Sequence, residues 1–284
     1  MLKRSQTFYS SCSSSLIFSY FKLVITLFFL SIFSLFTCAY EEVKNNNSIE
    51  TPQISKKLLH IEPWRFLSDY SAIYQVYYDD DLVGTANETL TFTKGLWKLN
   101  LSAKLKKLFF KINSNEYSEF IIDNNILRTQ KFHSKTEITF RKDKIIEQIF
   151  DWSNKVETGF YKKRSWQLPL DEQVFDRISH TIELRQELFN RENSNNINSP
   201  NNVNIEYKVS HKGKREIYTY KFRGKKNLIT PYGDFEAIQF ERVKKNGDKF
   251  LIWISPKLNY FPIKISQKEK NKSEVSFLLK SFNK

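Results

Sequence analysis

The chain has 284 residues, with 45 Lys and Arg against 31 Asp and Glu, and a formal net charge of +14 at pH 7. Apolar residues make up 40% and aromatic residues 15%, with only 7 Gly and 7 Pro. This composition excludes a disordered polyelectrolyte, a collagen-like chain and a low-complexity chain. Two Cys exclude a disulfide scaffold, and four His leave little room for a His-rich metal site. The length predicts one or two domains.

The N-terminal segment has the pattern of a bacterial Sec-type signal peptide. Lys3 and Arg4 precede an apolar run from Leu23 to Phe36, which has the length of a signal-peptide core and is short for a membrane span. The small residues of Thr37-Cys38-Ala39 suit a signal peptidase. We expect residues 1–39 to be removed by cleavage after Ala39 and the protein to be exported to the bacterial periplasm.

Two alternatives for this segment stay open. If Lys22 snorkels, the apolar stretch covers residues 16–36 and is long enough for an uncleaved inner-membrane anchor. Cys38 follows Leu35-Phe36-Thr37, which loosely resembles a lipobox, so lipidation at Cys38 is the second alternative. All three interpretations place the body of the protein outside the cytoplasm.

The rest of the chain divides into a polar lead-in and one β-rich domain. Residues 40–67 predict a tether, and residues 68–284 predict a single domain. Short aromatic and β-branched segments alternate there with a period near two, and turn signals such as Asn246-Gly247 separate them. The expected strands are 72–78, 84–93, 96–103, 107–113, 116–123, 126–133, 136–141, 144–151, 204–209, 215–223, 226–230, 235–244, 249–255, 260–267 and 274–282.

One segment has a helical period instead. Residues 170–191 place Ile178, Ile182 and Phe189 on one face, which predicts one amphipathic helix packed on the sheet. The polar residues 193–202 predict a surface loop. The fold class expected is mainly β with one α-helix: an antiparallel meander that forms a strongly curved sheet or a barrel-like body. The sequence leaves open whether this sheet closes.

Short segments, in order along the chain, resemble those of a known bacterial family. They are Tyr74-Gln75-Val76-Tyr77 with Gly84; Trp97-Lys98-Leu99; Phe150-Asp151-Trp152; Asp176-Arg177-Ile178-Ser179 with Leu184-Arg185; Thr230-Pro231-Tyr232-Gly233-Asp234-Phe235-Glu236-Ala237; and Trp253-Ile254-Ser255-Pro256 with Pro262-Ile263-Lys264-Ile265. On these residues the chain resembles the family called domain of unknown function 3108 (DUF3108), from about residue 68 to the end. The resemblance implies an exported, β-rich envelope protein and implies no established reaction, cofactor or catalytic residue.

Three of these segments have plain structural interpretations. Thr230-Pro231-Tyr232-Gly233 predicts a turn between two strands, because Pro fixes φ and Gly allows a positive φ. Trp253-Ile254-Ser255-Pro256 predicts the end of a strand. Asp151-Trp152 predicts a strand end with the indole packed and its N–H hydrogen-bonded.

The residue pattern gives no catalytic, cofactor-binding or metal site. The four His are scattered, no HExxH or G-x-S-x-G motif occurs, and the few Gly form no phosphate loop. His180 lies near Asp176 and Glu183 in sequence, but a solvated helix with mixed charges is the favoured interpretation. Asp79-Asp80-Asp81 predicts a hairpin tip. We therefore expect a protein that is not an enzyme and has no cofactor.

Basic and aromatic residues cluster at Lys104–Lys111 and at Lys162-Lys163-Arg164 with Trp166. Such clusters suit an anionic membrane surface or polysaccharide, while export argues against nucleic acid as a partner. For Lys104–Lys111 the favoured interpretation is an amphipathic strand with its lysines in water. The candidate ligand or partner surface consists of aromatic residues, namely Trp97, Phe109, Phe110, Trp152, Trp166 and Trp253.

Three function classes follow. The favoured one is a noncatalytic envelope protein that binds a lipid or other amphiphile in a groove of its curved sheet. The alternative is a protein-interaction or scaffold module at the membrane face, with another envelope protein as partner. The third is a hydrolase of envelope polymer, which requires at least two of Asp151, Asp176, His180 and Asp234 within hydrogen-bond distance of each other.

Overall fold

The computed structural model describes residues 64–170, 173–193, 204–243, 248–268 and 273–284. The predicted leader, the tether up to residue 63, the polar loop after residue 193 and Asn246-Gly247 lie outside these ranges, and what was expected of them stays a prediction. Within the described ranges, no helix combines the length and the apolar character that a membrane crossing requires.

The described residues form fourteen strands and one α-helix. In chain order they are β1 (Tyr70–Tyr78), β2 (Asp81–Thr93), β3 (Leu96–Lys107), β4 (Phe110–Asp123), β5 (Ile126–Ile138), β6 (Lys144–Asp151), β7 (Val156–Tyr161), β8 (Arg164–Pro169), α1 (His180–Asn193), β9 (Asn204–His211), β10 (Lys214–Thr230), β11 (Gly233–Val243), β12 (Lys249–Ser255), β13 (Phe261–Lys268) and β14 (Glu274–Asn283).

All fourteen strands belong to one antiparallel sheet, in the order β8-β7-β6-β5-β4-β3-β2-β1-β14-β13-β12-β11-β10-β9. The described chain therefore begins in the middle of the sheet, runs outward to the edge strand β8, and returns from the other edge, β9, until β14 pairs with β1. The ladder is not closed, since β8 and β9 are its two edges. The predicted fold class is confirmed, and the sheet is open.

Alternating burial explains why these segments form strands. In β1, Tyr70, Ala72, Tyr74 and Val76 are buried, and the residues between them are exposed or half-buried. β5 repeats the pattern from Phe132 onward. Because successive side chains of a strand point to opposite faces, these residues define one inner face of the sheet, which packs against the helix.

The two edges of the sheet are joined by side chains rather than by a strand ladder. Glu157 of β7 is fully buried and accepts hydrogen bonds from Gln148 Nε2 (3.0 Å) and Ser210 Oγ (2.7 Å). Arg215 of β10 forms an ion pair with Glu157 and donates to the carbonyl of Pro169 (2.9 Å). These contacts curve the sheet until β6–β8 face β9–β10, and we call this line of contact the seam.

The helix is shorter than the predicted segment 170–191. α1 begins at His180, because the chain before it pairs with the sheet edge instead. Phe175 N–H donates to Lys208 O (3.0 Å) and Ser210 N–H donates to Phe175 O (2.8 Å), which forms a short parallel bridge along β9. The exposed edge of β9 thus gains backbone partners that a longer helix could not supply.

Three further details differ from the expected strands. β7 and β8 were not predicted, because each has only six residues. Three pairs of expected strands each form one long strand: 107–113 and 116–123 form β4, 126–133 and 136–141 form β5, and 215–223 and 226–230 form β10. β10 has an irregularity between Phe222 and Lys225. Lys104–Lys111 is not a single strand, since a turn with Leu108 and Phe109 at its tip joins β3 to β4.

The hairpins place their turns at two ends of the sheet. At one end lie the turns 93–96, 123–126, 151–156 and 230–233. Trp64 connects α1 to this end, because its backbone N–H donates to Gln186 Oε1 (3.0 Å) and its indole N–H donates to Asn125 O (3.3 Å). We call this the helix end. The opposite end carries the turns 78–81, 107–110, 138–144, 161–164 and 211–214.

Candidate functional site

The segment before α1 is anchored inside the sheet by Asp176. Its carboxylate accepts hydrogen bonds from the backbone N–H groups of Ile178 (2.7 Å) and Ser179 (2.9 Å) and from the hydroxyl of Ser118 on β4. Burial raises the pKa of Asp176, and these hydrogen bonds oppose that effect. Asp176 therefore caps the helix start and holds it against the inner face.

Next to it, Arg177 is neutralised by a carboxylate of the sheet. Arg177 Nη2 lies 3.3 Å from Glu116 Oε2 on β4, and Ser134 of β5 donates to Glu116 Oε1 (3.0 Å). Glu116 is only 7% exposed. Both charges of this pair thus have a buried partner, and the pair needs no external ligand.

Arg185, eight residues further along the chain, has a different environment. It is 2% exposed, and its guanidinium carbon lies 4.7 Å from the ring centre of Phe66, 5.3 Å from that of Tyr70 and 5.2 Å from that of Phe261. None of its three guanidinium nitrogens has a partner among the described residues that meets the distance and angle of a hydrogen bond, although a weaker interaction with the Tyr70 hydroxyl acts to lower the pKa of Tyr70 against the rise that burial causes. Cation–π contacts stabilise such a group, but they leave its donors unsatisfied.

A carboxylate lies close to this guanidinium. The Tyr70 hydroxyl donates to Glu88 Oε1 at 2.6 Å, and the charge of Arg185 acts on both groups. Burial raises the pKa of Glu88, while the hydrogen bond from Tyr70 and the charge of Arg185 lower it. Neither oxygen of Glu88 is hydrogen-bonded directly to Arg185, so the guanidinium donors remain available to an anion such as a carboxylate or phosphate.

An apolar strip leads from this charged centre along β3. Leu101 pairs with Glu88 on one side and with Glu116 on the other, so it shares their inner face. Ala103 and Leu105 follow on the same face, and all three side chains are only half-buried. The strip spans about 13 Å at the rise of an extended strand. It ends at the turn between β3 and β4, at the end of the sheet opposite to α1.

A second buried cluster surrounds His180. Its Nε2 lies 2.8 Å from the Tyr220 hydroxyl, and its ring lies against Tyr207 and Tyr218. Burial lowers the pKa of His180 to about 3. The expectation that His180 lies on a solvated helix face is wrong, because it is 2% exposed beneath β9 and β10. Burial also raises the pKa of Glu183 to about 7, with a contribution from the nearby charge of Glu187.

The side chains of the four residues considered for hydrolysis are not hydrogen-bonded to one another. The Asp176 carboxylate caps the helix, and His180 contacts Tyr220. Asp151 accepts from Asn154 at the turn after β6, and Asp234 belongs to β11. Within the described ranges, no three His, Cys, Asp or Glu residues are grouped so that they could hold a metal ion.

The six aromatic residues expected to line a ligand or partner surface lie in separate places. Trp97 on β3 lies 4.6 Å from Phe92, while Phe109 and Phe110 pack 4.5 Å apart at the opposite end of β3. Trp253 on β12 is buried, with Lys264 Nζ 4.9 Å from its ring.

The remaining two tryptophans have structural partners. The indole of Trp152 donates to Thr129 O (2.6 Å), as expected for a strand end. Trp166 donates to Glu157 Oε1 (3.0 Å) at the seam, and a Cβ at Gly159 would lie 2.2 Å from its ring, so that close approach requires glycine. The six therefore form no single surface.

The sequence analysis missed the charged centre, although a signal for it exists. Arg185 is three residues after Ile182 and four before Phe189, which places a cation on the apolar stripe of the helix. Glu88 likewise alternates with the buried residues Ala86 and Leu90. A charged residue at a position where the period predicts an apolar one marks a buried polar centre.

The fold and this centre define a class: a β-rich protein with an open meander sheet, one packed helix and ionised residues on the inner face. Within that class, residues 73–279 match the model of the family described as "Protein of unknown function (DUF3108)", and the chain belongs to this family. The resemblance found in the sequence is confirmed. A search of curated proteins gives no match.

The solved structures that match this chain include two of proteins from bacteria. The crystal structure of a "Beta-barrel-like Protein of Domain of Unknown Function DUF1849" from Brucella abortus has a TM-score of 0.47 and 8% identity, over 76% of this chain and 98% of that one. A "putative lipoprotein" from Parabacteroides distasonis has a TM-score of 0.32 and 10% identity, over 77% of this chain and 96% of that one.

Proposed function

We propose that the protein is an exported, noncatalytic envelope protein that binds an anionic amphiphile on the inner face of its sheet. The acidic headgroup contacts Arg185, and the apolar chain lies along Leu101, Ala103 and Leu105. The N-terminal pattern of Lys3, Arg4 and the apolar run supports export.

The observation that carries this proposal is the guanidinium of Arg185. A buried polar group without a hydrogen-bond partner costs about 1–3 kcal/mol, and more when it is charged. Arg185 has three such nitrogens among the described residues, with only a weak interaction with the Tyr70 hydroxyl beside them, whereas Arg177 has Glu116 as its partner. A headgroup that accepts hydrogen bonds from Arg185 removes this cost, and guanidinium binds carboxylate and phosphate with two parallel hydrogen bonds.

The apolar strip supports the second half of the proposal. Inner-face residues near Arg185, such as Tyr70 and Leu90, are buried, but Leu101 and Leu105 on the same face are half-buried. Covering apolar surface of this kind contributes about 25 cal/mol per Å². The roles of Asp176 in capping and of His180 in contacting Tyr220 support a noncatalytic interior.

The test is native mass spectrometry of the protein expressed with its own leader and purified from a bacterial envelope without solvent. We expect an added mass that disappears on solvent extraction and that behaves as an acid in lipid analysis. Arg185→Met keeps the volume and the apolar contacts of the side chain but removes its charge, so this variant should lose the added mass. Arg191→Met, which changes a partly exposed arginine of the same helix, is the matched control and should retain it.

Two outcomes contradict the proposal. One is a wild-type protein that carries only the mass of its polypeptide after gentle purification. The other is an Arg185→Met variant that keeps the same ligand at the same occupancy.

The alternative of a protein-interaction module has its own supporting observation. A surface groove of about 510 Å³ lies on the outer face of β6–β8, where Ile149 is 53% and Phe160 is 44% exposed. Exposed apolar side chains beside an edge strand suit the addition of a partner strand. In this case crosslinking in the envelope should capture a protein through β8, and purified protein should carry no amphiphile.

A further inference from the structure

The end of the sheet opposite to α1 is strongly basic. Four of its turns, at residues 106–111, 139–144, 161–164 and 211–215, contain twelve Lys and Arg but a single acidic residue, Asp143. We call these four segments the basic rim. At the helix end, the turns 93–96, 123–126, 151–156 and 230–233 contain two Lys and two Asp. Among these described turns, the excess positive charge therefore lies at the end opposite to α1.

The four segments of the basic rim form one surface. Strands β3 to β8 are consecutive in the sheet, so their turns follow one another along its end. The turn of the β9–β10 hairpin joins them across the seam, because Lys212 Nζ lies 4.4 Å from the ring centre of Tyr161. Burial lowers the pKa of Lys212 to about 6, and the charges of Arg177, Lys144 and Lys162 contribute. Lys212 therefore adds little charge at pH 7, and the other Lys and Arg side chains of the basic rim supply the positive charge that favours an anionic partner.

Apolar side chains project from the tips of these turns. Phe140 is 87% exposed, Leu108 is 66% exposed and Phe109 is 52% exposed. Phe140 and Leu108 also have left-handed backbone conformations, with φ of 62° and 54°. Bulky residues rarely adopt this conformation, and turns normally use Gly or Asn there.

At the helix end, the exposed left-handed positions include Lys94-Gly95 and Asn124-Asn125. The bulky Tyr260 also has a left-handed φ of 57° there, but it is only 2% exposed. Leu108 and Phe140 thus occupy sites where Asn or Gly would be less strained and more soluble. Two exposed apolar residues in an unfavourable backbone conformation therefore lie at the same end of the sheet. This indicates that their side chains insert into an apolar environment.

The turn that bears Phe140 is held firmly to the sheet. Lys111 N–H donates to Thr139 Oγ1 (2.9 Å), and Thr139 N–H donates to Lys111 O (3.1 Å). The Phe140 tip and the Leu108 tip are therefore fixed beside each other, with exposed lysines around them at positions 106, 111 and 142. Apolar tips flanked by cations are the pattern with which proteins enter the headgroup region of a bilayer.

We infer that the basic rim docks on an anionic lipid bilayer, with Leu108, Phe109 and Phe140 inserted at the boundary between headgroups and acyl chains. A bilayer is the occupant that matches both features, since it presents a planar field of negative charge over an apolar layer. The acidic turn at Asp79-Asp80-Asp81 lies at the same end of the sheet. The docking edge is therefore limited to the β3–β4, β5–β6, β7–β8 and β9–β10 turns. This inference does not depend on an amphiphile being bound inside the sheet.

The test uses the protein as purified from a host that expresses it with its own leader, together with vesicles of equal parts phosphatidylglycerol and phosphatidylcholine. We expect co-sedimentation with these vesicles and little with pure phosphatidylcholine. Binding should weaken at least about tenfold when 1 M salt shortens the screening length to about 3 Å. The N-terminal segment is identical in all variants, so it cannot account for differences between them.

Two pairs of variants locate the contact. Phe140→Trp should be quenched by brominated phosphatidylglycerol, whereas Ile229→Trp, at an 81% exposed position of the helix end, should not be quenched. The double variant Leu108→Asn with Phe140→Asn should bind at least about tenfold more weakly, because two apolar side chains no longer enter the bilayer. Ile229→Asn is the matched control and should bind as the wild type does.

Three outcomes overturn the inference. They are equal binding to charged and uncharged vesicles, wild-type binding by the double Asn variant, and equal quenching of the two Trp probes. If the basic rim instead recognises a protein, the wild type should bind vesicles no better than the double variant does. That result also rejects a bilayer as the partner.

Discussion

Glu157 of β7 and Arg215 of β10 form an ion pair across the seam, although their strands lie near opposite edges of the fourteen-stranded sheet. Glu157 is fully buried, and four donors converge on its carboxylate: Gln148, Trp166, Ser210 and Arg215. A buried carboxylate lowers stability little while all of its hydrogen-bond donors are present. Removing the carboxylate leaves these donors unsatisfied and lowers stability strongly. Among the seam residues, Glu157 therefore contributes most to holding the open sheet in its curved form.

Glu157→Ala should lower the free energy of unfolding by about 3–5 kcal/mol, because it leaves Arg215 unpaired and the other donors unsatisfied. Urea unfolding followed by circular dichroism measures this change. Glu236→Gln is the control, since Glu236 pairs with Lys225 at 3.0 Å on the exposed surface and should contribute less than about 1 kcal/mol. Similar losses in the two variants would show that the seam is not held by Glu157.

His180 and Glu183 should give opposite pH dependences. The pKa of His180 falls from 6.5 in the unfolded chain to about 3 when folded, so the folded state binds fewer protons and stability decreases as the pH falls below about 6.5. The pKa of Glu183 rises from 4.5 to about 7, so the folded state binds more protons and stability increases as the pH falls from about 7 to 4.5. In the wild type the two effects oppose each other between pH 4.5 and 6.5.

Removing either group should expose the effect of the other. Glu183→Gln should raise stability at pH 8 by about 2–3 kcal/mol and leave a protein that loses stability on acidification. His180→Phe should leave a protein whose stability rises from pH 7 to pH 5. Urea midpoints at several pH values measure both slopes, and parallel curves for the two variants would contradict the assignment.

The sequence predicted the sheet well because burial alternates clearly along most strands. The motifs around Trp152, Thr230 and Ser255 were also interpreted correctly as strand ends and turns. Trp152 donates to Thr129 O, the Thr230 hydroxyl accepts from Gly233 N–H at 3.2 Å, and β12 ends at Ser255 before a short 3₁₀ turn. These features depend on local chemistry, which the sequence contains.

The interior could not be predicted in the same way. Whether His180 is solvated depends on β9 and β10, which are distant in sequence and fold over it. The helix start depends on the pairing of Phe175 with the edge of β9, which no local period reveals. The basic rim depends on hairpin alternation, which brings Lys106, Lys142 and Lys163 to one end. Each of these requires the order of strands, not the strands alone.

Leu108→Asn and Phe140→Asn should each leave the isolated protein as stable as before, or stabilise it by about 0.5–1 kcal/mol. Asn adopts left-handed φ more readily than Leu or Phe, and neither side chain is covered in the folded state. Thermal and urea unfolding without lipid measure the change. Asn125→Leu at the helix end is the reciprocal control and should destabilise, since it places a bulky residue at a φ of 65°. A loss of stability in the two Asn variants would mean that the tips have a folding role rather than a docking role.

Arg177 and Arg185 should respond oppositely to the same substitution. Arg177→Met removes the partner of Glu116, which is 7% exposed, and should cost about 3–5 kcal/mol. Arg185→Met removes a buried charge that has no hydrogen-bond acceptor among the described residues, and it places an apolar side chain against Phe66 and Phe261. Replacing a buried charge with an apolar group of similar volume is often neutral or stabilising, so this variant should lie within about 1 kcal/mol of the wild type or above it. Urea unfolding of ligand-free protein, prepared by solvent extraction and refolding, makes the comparison. If Arg185→Met lowers the free energy of unfolding as much as Arg177→Met does, Arg185 stabilises the position of the helix. Its guanidinium is then a structural group and not an anion-binding one.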